Sequence, residues 1–220
     1  MSQLPSNSPL RLNLGSGSKP IPEFVNVDKY GSPDIVCDLE VLPWPWPDSS
    51  VDEVCLYHVL EHLGATVEKF FGILKELYRV SKDGACVNIV VPHPLHDDFR
   101  GDPTHVRAFV PQTFRLFSKD LNRQAREGGF ANSPLGIFLD VDFEPSPIRL
   151  DLDESWGRQL ASGKLTAEQV MQAAQMHNNV IKQITVRWTV RKPGAPAAAA
   201  PVNNPLQVTA KLPALIEQKK

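Results

Sequence analysis

The segment R-L-N-L-G-S-G-S-K-P-I-P-E-F-V-N-V-D, residues 11–28, decides the fold. Leu12 and Leu14 form a short apolar run that stops at Gly15-Ser16-Gly17. That is the pattern of a buried parallel strand entering a glycine turn, where a ligand can approach the backbone. A second run, Phe24-Val25-Asn26-Val27, ends in Asp28. A carboxylate at the tip of the strand after such a turn is placed to accept hydrogen bonds from both hydroxyls of a ribose.

The phosphate question is answered by prolines. A dinucleotide fingerprint needs a third glycine that opens a pyrophosphate-binding helix. Pro20 takes that place here and Pro22 follows it, and proline inside a helix costs ~3 kcal/mol. The connection suits a cofactor with a ribose and no phosphates, of which S-adenosylmethionine is the common one. NAD binding would be needed to revive a dinucleotide enzyme.

Outward from this segment the chain alternates. Strands are expected near 11–15, 24–28 and 35–37, the last followed by Asp38-Leu39, and a fourth at Val54-Cys55-Leu56-Tyr57. Short strands that each end in a polar residue line those residues along one edge of a parallel sheet. Helical spacing of Phe70, Phe71, Leu74, Leu77 and Tyr78 gives a helix over 67–80, and after a turn at Ser81–Gly84 the run Ala85–Val91 is a central strand stopped by Pro92. Residues 93–111 form a long loop, 112–127 a helix, 136–143 a strand, 166–182 a helix with a Thr cap, and 184–191 a final alternating strand. Residues 1–10 read as a flexible arm, 11–192 as one domain, and the Ala/Pro-rich stretch 193–220 as a disordered tail.

Composition excludes several classes. Basic and acidic residues number 23 and 25, so no global field attracts nucleic acid or an anionic membrane. No run reaches the roughly 18 apolar residues of a membrane span. Met1-Ser2-Gln3-Leu4-Pro5 lacks the charged and apolar regions of a signal peptide, and a soluble, cytoplasmic protein is expected. Cys37, Cys55 and Cys86 each sit in an apolar run, which reads as free buried thiols.

Six motifs carry a family resemblance: L-N-L-G-S-G (12–17), V-N-V-D (25–28), D-L-E-x-L-P (38–43), P-D-S-S-V-D-E-V (47–54), H-V-L-E-H-L (58–63) and E-L-Y-R-V-S-K-D-G (76–84). With their spacing, over residues 11–92, the chain resembles the class I S-adenosylmethionine-dependent methyltransferases of the type-11 group. The resemblance implies an α/β, Rossmann-like class I methyltransferase fold, with a mostly parallel sheet of seven strands and helices on both faces. It implies that Gly15 and Gly17 pack against the cofactor, that Asp28 holds the ribose, and that Asp38 with the Leu39 backbone reads the adenine edge. Asn13 and Tyr57 complete the expected cofactor contacts, with Asn13 standing where the family often has an acidic residue. The helix usual between the first two strands is missing.

Methyl transfer to a hydroxyl needs an aligned nucleophile and a proton acceptor. His58, at the carboxyl end of strand four, is the expected base; the alternative is a histidine that only shapes the pocket. His58, Glu61 and His62 share a helical face at i, i+3 and i+4. They look like the E-x-x-E-H metal motif of some O-methyltransferases, with His93, His96 or His105 as a further ligand. A packing and hydrogen-bonding role for Glu61 and His62, as in metal-free relatives, is preferred, and no metal is expected. The loop H-P-L-H-D-D-F-R-G-D-P-T-H, residues 93–105, is read as substrate-side, with His93 and His96 as further catalytic candidates. Trp44 and Trp46 either wall a pocket or cover the sheet edge. Arg115, Lys119, Arg123 and Arg126 read as a solvated helix face.

The function expected is methyl transfer from S-adenosylmethionine to an oxygen or nitrogen of a small molecule or glycan rather than a nucleic acid. The alternative is a non-catalytic cofactor-binding module acting as a partner or regulatory subunit.

Overall fold

The computed structural model describes residues 8–194 and 207–209. In chain order the elements are β1 (Arg11–Leu14), β2 (Val25–Asp28), β3 (Ile35–Val36), β4 (Val51–Tyr57), α1 (Val67–Val80), β5 (Ser81–Pro92), α2 (Asp97–Arg100), α3 (Pro111–Arg115), α4 (Lys119–Glu127), α5 (Leu135–Leu139), β6 (Phe143–Pro145), β7 (Arg149–Leu152), α6 (Glu154–Ala161), α7 (Ala167–Met176), β8 (Ile181–Val190) and β9 (Gln207–Thr209), with a 3-10 turn at Leu60–His62 before α1. The sheet runs β3-β2-β1-β4-β5-β8-β7-β9, and β6 pairs with the far end of β8. The β3 to β5 half is parallel; β8 enters antiparallel between β5 and β7.

Strand alternation divides the sheet into two chemically distinct faces. Leu12, Leu14, Val54, Leu56, Val87, Ile89, Ile184, Val186 and Trp188 are buried in the core. α1 buries Phe70, Ile73, Leu74 and Leu77 in that core, joined by Phe109, Phe114 and Phe117. Trp188 is the hub, stacked on Phe143 at 4.7 Å, edge-on to Phe114 and Phe117, with its indole N–H donating to the Phe114 carbonyl at 3.1 Å. Side chains of the other register, such as Asn13, Glu53, Tyr57, Asn88, Thr185 and Arg187, are polar. They bond mostly to one another, as in Asn88 to Glu53 and Arg187 to Asn88. No helix lies in the connections from β1 through β4.

Several expectations are corrected. Among the described residues the sheet has nine strands rather than seven. The apolar run after Gly136 is a helix, α5, not a strand: Gly136 donates its N–H to the Leu116 carbonyl, and the buried Asn122 amide accepts from Ile137 N–H while donating to Leu116. Short apolar runs are ambiguous in period, and tertiary contacts decided this one. The helix expected over 112–127 is two, because Ser118 leaves helical geometry to cap α4 and Phe114 and Phe117 both enter the core. The four basic residues therefore do not share one helical face, and Lys119 pairs with Asp140. The helix from Thr166 ends at Met176, because His177 is extended and Asn179 turns through positive φ, so that β8 can begin at Ile181. The expected turn at 81–84 is a bulge within β5, where the pairing jumps from Val51↔Ser81 to Glu53↔Cys86.

The ends also differ. The expected arm covers residues 1–10, of which 1–7 lie outside the described residues, but Leu10 is docked through bonds to the Asp52 backbone and carboxylate. Of the expected disordered tail, residues 207–209 form β9 along β7, with Thr209 donating to the buried Asp151 at 2.7 Å; residues 195–206 and 210–220 lie outside the described residues. Trp44 and Trp46 are core residues, held by Arg79 bonds to both their carbonyls and by Glu76, which accepts from Trp44 N–H. All three cysteines are free; Cys55 is buried, while Cys37 and Cys86 are only partly so.

Candidate functional site: the cleft at the strand reversal

Strand order reverses between β1 and β4, and in an open α/β sheet ligands bind outside the carboxyl ends of the strands at that point. A cleft of about 210 Å³ lies there, lined by Gly15, Asp28, Asp38, Leu39, His58 and His62 among others. A second, shallower cleft of about 660 Å³, lined by Ser16, Gly17, Asn26 and Asp34, shares Asp28 with it.

The first wall is the glycine turn. Gly15 and Ser16 both donate N–H to the Val27 carbonyl, tying the turn to β2. Gly15 sits at φ +69°, and a Cβ there would stand 2.5 Å from Val59 Cγ2, so only glycine lets β1 close on the segment after β4. Asp28 accepts from Gly17 N–H at 2.8 Å through one carboxylate oxygen and from Tyr30 N–H at 2.9 Å through the other. Each oxygen keeps a further acceptor position, so the carboxylate is fixed in place and still able to take a ribose hydroxyl. Asp38 accepts from Glu40 N–H in an Asx turn at the cleft edge. A cradle that a Cβ would fill, a positioned carboxylate and a buried apolar Leu39 together fit an adenosine-bearing cofactor.

His58 forms the opposite wall. Its N–H donates to the Val90 carbonyl, and its φ of +57° turns the chain sharply out of β4. A non-glycine residue held in that conformation costs about 1–3 kcal/mol, a strain that clusters at functional sites. The imidazole is 46% exposed, and its Nδ1 lies 3.5 Å from Glu61 Oε1.

The remaining candidates lie elsewhere. Asn13 is buried, with its amide donating to Asn26 and the Lys19 carbonyl; it braces the turn and does not line either cleft. Tyr57 lines a neighbouring groove with Asn88, Arg149 and Arg187, and burial raises its hydroxyl pKa well above the ordinary value. His96 caps α2 by accepting from Asp98 N–H, and its Nε2 stands 3.5 Å from Asp153. That makes it a strut between the loop and the start of α6. His93 is held against β8 by a bond to the Lys182 carbonyl, and burial, with His96 nearby, lowers its pKa. Neither histidine lines the cleft. Sequence reasoning missed Val59, Lys29 and Glu40 as lining residues; Glu40 stood in the D-L-E-x-L-P motif, whereas nothing in the sequence marks the contact of Val59 with Gly15.

This strand order, with its cleft at the reversal, defines a Rossmann-like class I methyltransferase fold. A family model described as "Methyltransferase domain" matches residues 19–88, from just after the glycine turn into β5. A similar solved structure is a SAM-dependent methyltransferase from Archaeoglobus fulgidus, at 17% identity and TM-score 0.54, covering 83% of this chain and 86% of that one. The YcgJ protein of Bacillus subtilis aligns at 18% identity and TM-score 0.45, over 84% and 93% of the two chains. A 16S rRNA methyltransferase from Catenulisporales acidiphilia aligns at 13% identity and TM-score 0.44, over 85% and 87%. No curated protein matches the sequence.

Proposed function

We propose that this protein is a methyltransferase that uses S-adenosylmethionine to methylate an oxygen or nitrogen of a small molecule or glycan. The observation that carries the reading is the convergence of Gly15, Asp28, Asp38 and His58 on one cleft at the strand reversal. Bound there, the cofactor supplies a methyl group on a sulfonium that departs as a neutral thioether. Asp28 and Asp38 would hold the ribose and adenine, and the Gly15 turn would admit the chain of the cofactor against the backbone. His58, exposed at the mouth, would receive the proton that the acceptor gives up as its bond to carbon forms. The near balance of charge favours a small or glycan acceptor over nucleic acid. Among the described residues no helix is long and apolar enough to cross a membrane.

Calorimetric titration with S-adenosylmethionine and S-adenosylhomocysteine tests the first half. Asp28→Asn, which preserves the shape of the turn, should weaken binding at least tenfold. His58→Ala should leave binding within a factor of about three while turnover of a hydroxylated acceptor panel falls on the order of a hundredfold. Absence of binding to the wild-type protein would overturn the reading. Binding without turnover on any acceptor would instead favour the non-catalytic module.

A further inference from the structure

Next to the cofactor cleft lies a group of ligating side chains that the methyl-transfer reading does not use. One donor atom from each of Glu61, His62 and His105 lies within 4.8 Å of those of the other two. Glu61 is 1% exposed, and neither of its carboxylate oxygens has a hydrogen-bond partner. An ionised carboxylate so buried costs several kcal/mol unless a counter-charge meets it. His58 Nδ1 stands 3.5 Å from Glu61 Oε1 without hydrogen-bonding it, and Arg107 turns its guanidinium to the Gly64 and Thr66 carbonyls and over the Phe70 ring at 4.0 Å. The fold nevertheless brings the group together on purpose-built bonds: the Glu61 carbonyl accepts from both Val106 and Arg107 N–H, which docks the segment carrying His105 onto the 3-10 turn.

The two imidazoles have fixed tautomers. His105 Nδ1 is 2.7 Å from the Phe99 carbonyl, which can only accept, so Nδ1 carries the proton. His62 Nδ1 is 2.9 Å from Thr104 Oγ1, and that hydroxyl spends its own proton on Asp102 at 2.6 Å, so His62 must donate too. Each neutral ring is thereby left with its Nε2 lone pair; that of His105 also stands 3.9 Å from Asp102 Oδ2. A histidine that gives its other N–H to a carbonyl, or through a hydroxyl to a carboxylate, is the outer arrangement that orients metal-bound imidazoles. The 4.8 Å spread would have to draw in by about 1.4 Å, since ligands at ~2.1 Å around a four-coordinate ion stand roughly 3.4 Å apart.

We propose that Glu61, His62 and His105 bind one divalent transition-metal cation at the acceptor side of the cleft. Two imidazoles and one carboxylate suit zinc, cobalt or manganese better than magnesium or calcium. His62 also lines the cleft with Asp28 and Asp38, and three protein ligands leave positions for an outside oxygen. On the methyl-transfer reading, on which this clause alone rests, the acceptor is a hydroxylated compound that offers an oxygen to the cation, not an amine.

The test uses full-length protein freed of metal with a chelator and titrated with Co²⁺, followed by visible absorption, and with Zn²⁺, followed by calorimetry. The expected result is one equivalent bound, with affinity reduced a hundredfold or more in Glu61→Gln and in His105→Ala, and unchanged in His177→Ala on an exposed helix end. Circular dichroism confirms that each variant is folded, and the near-isosteric Glu61→Gln keeps the test valid if His105→Ala is not. No saturable binding by the wild type, or equal affinity in Glu61→Gln, would overturn the site. S-adenosylmethionine is titrated into the same metal-free protein: if it binds while neither cation does, the transferase reading stands and the cation site is removed, and if a cation binds while the cofactor does not, the opposite holds.

Discussion

Replacing Gly15 by alanine should be among the costliest single-methyl changes in this protein. Two penalties add. The residue sits at φ +69°, where a side chain costs about 1–2 kcal/mol. The new Cβ would stand 2.5 Å from Val59 Cγ2 and 2.9 Å from Cγ1, against an ordinary carbon contact of roughly 3.5–4.0 Å, so the β1 turn and Val59 must separate by about 1 Å. Overpacking of that size costs about 1–3 kcal/mol. The sum is about 3 kcal/mol, or roughly 6–12 °C in Tm for a domain of this length. Because Gly15 and Val59 both line the cleft, affinity for S-adenosylmethionine should fall at least tenfold. The assay is urea unfolding of wild type, Gly15→Ala, Val59→Ala and the double variant. Removing the Val59 methyls leaves only its Cβ, at 3.3 Å, so the double variant should recover the steric part and give a coupling energy of about 1–2 kcal/mol, with the backbone part remaining. A Gly15→Ala cost below about 0.5 kcal/mol, or one unchanged in the Val59→Ala background, would refute the idea that this contact sets the closure of the site.

Other perturbations have defined outcomes. Glu76 is held below the ordinary carboxylate range by hydrogen bonding to Arg79, and Asp34 by the Asn26 N–H and amide; groups with depressed folded pKa stabilise above their unfolded value near 4 and lose that contribution as pH falls through the lower folded value. Thermal stability should therefore decline below about pH 4, with a shallower decline in Glu76→Gln. Trp188→Phe removes the bond to the Phe114 carbonyl and part of the aromatic hub, and should cost about 2–4 kcal/mol in chemical denaturation. Asn13→Asp, which installs the acid common in the family the chain resembles, would set a buried carboxylate against the Lys19 carbonyl and Asn26 Oδ1. It should lower stability by about 2 kcal/mol or more without strengthening cofactor binding, as calorimetry would show.

The parallel half of the sheet was legible because each strand there announces itself by an apolar run and a polar terminus, and the glycine turn fixes where they meet. Helix α1 was legible to the residue, since its apolar face repeats without interruption between a Thr cap and a bulge. After Pro92 the signals compete. Leu135–Leu139 has the apolar content of a strand and is helical where Asn122 and the Leu116 carbonyl, on the preceding helical segments, satisfy the N–H groups of its first turn. The site divides in the same way: Asp28, Asp38 and His58 follow from strand ends, but His96 and His93, equally conspicuous in sequence, were claimed by capping and sheet-edge bonds. The proposed ligand group was partly visible, because Glu61 and His62 share a turn, while the choice of His105 over His93 and His96 is made by main-chain bonds that no spacing reveals.

The insertion of β8 between β5 and β7 has a consequence for how the chain is made. One edge of β5 pairs with β4, but along the other edge residues 86–92 find their partner only among residues 183–189, so the sheet stays divided until almost the whole domain has been synthesised. Until then β5 presents an open edge of Val87, Ile89 and Val91, the kind of surface on which chains pair with one another. Contacts this distant in sequence also slow folding. Premature termination or slow translation anywhere from α3 to α7 is therefore expected to yield aggregation instead of a soluble half-domain, whatever the quality of the finished active cleft.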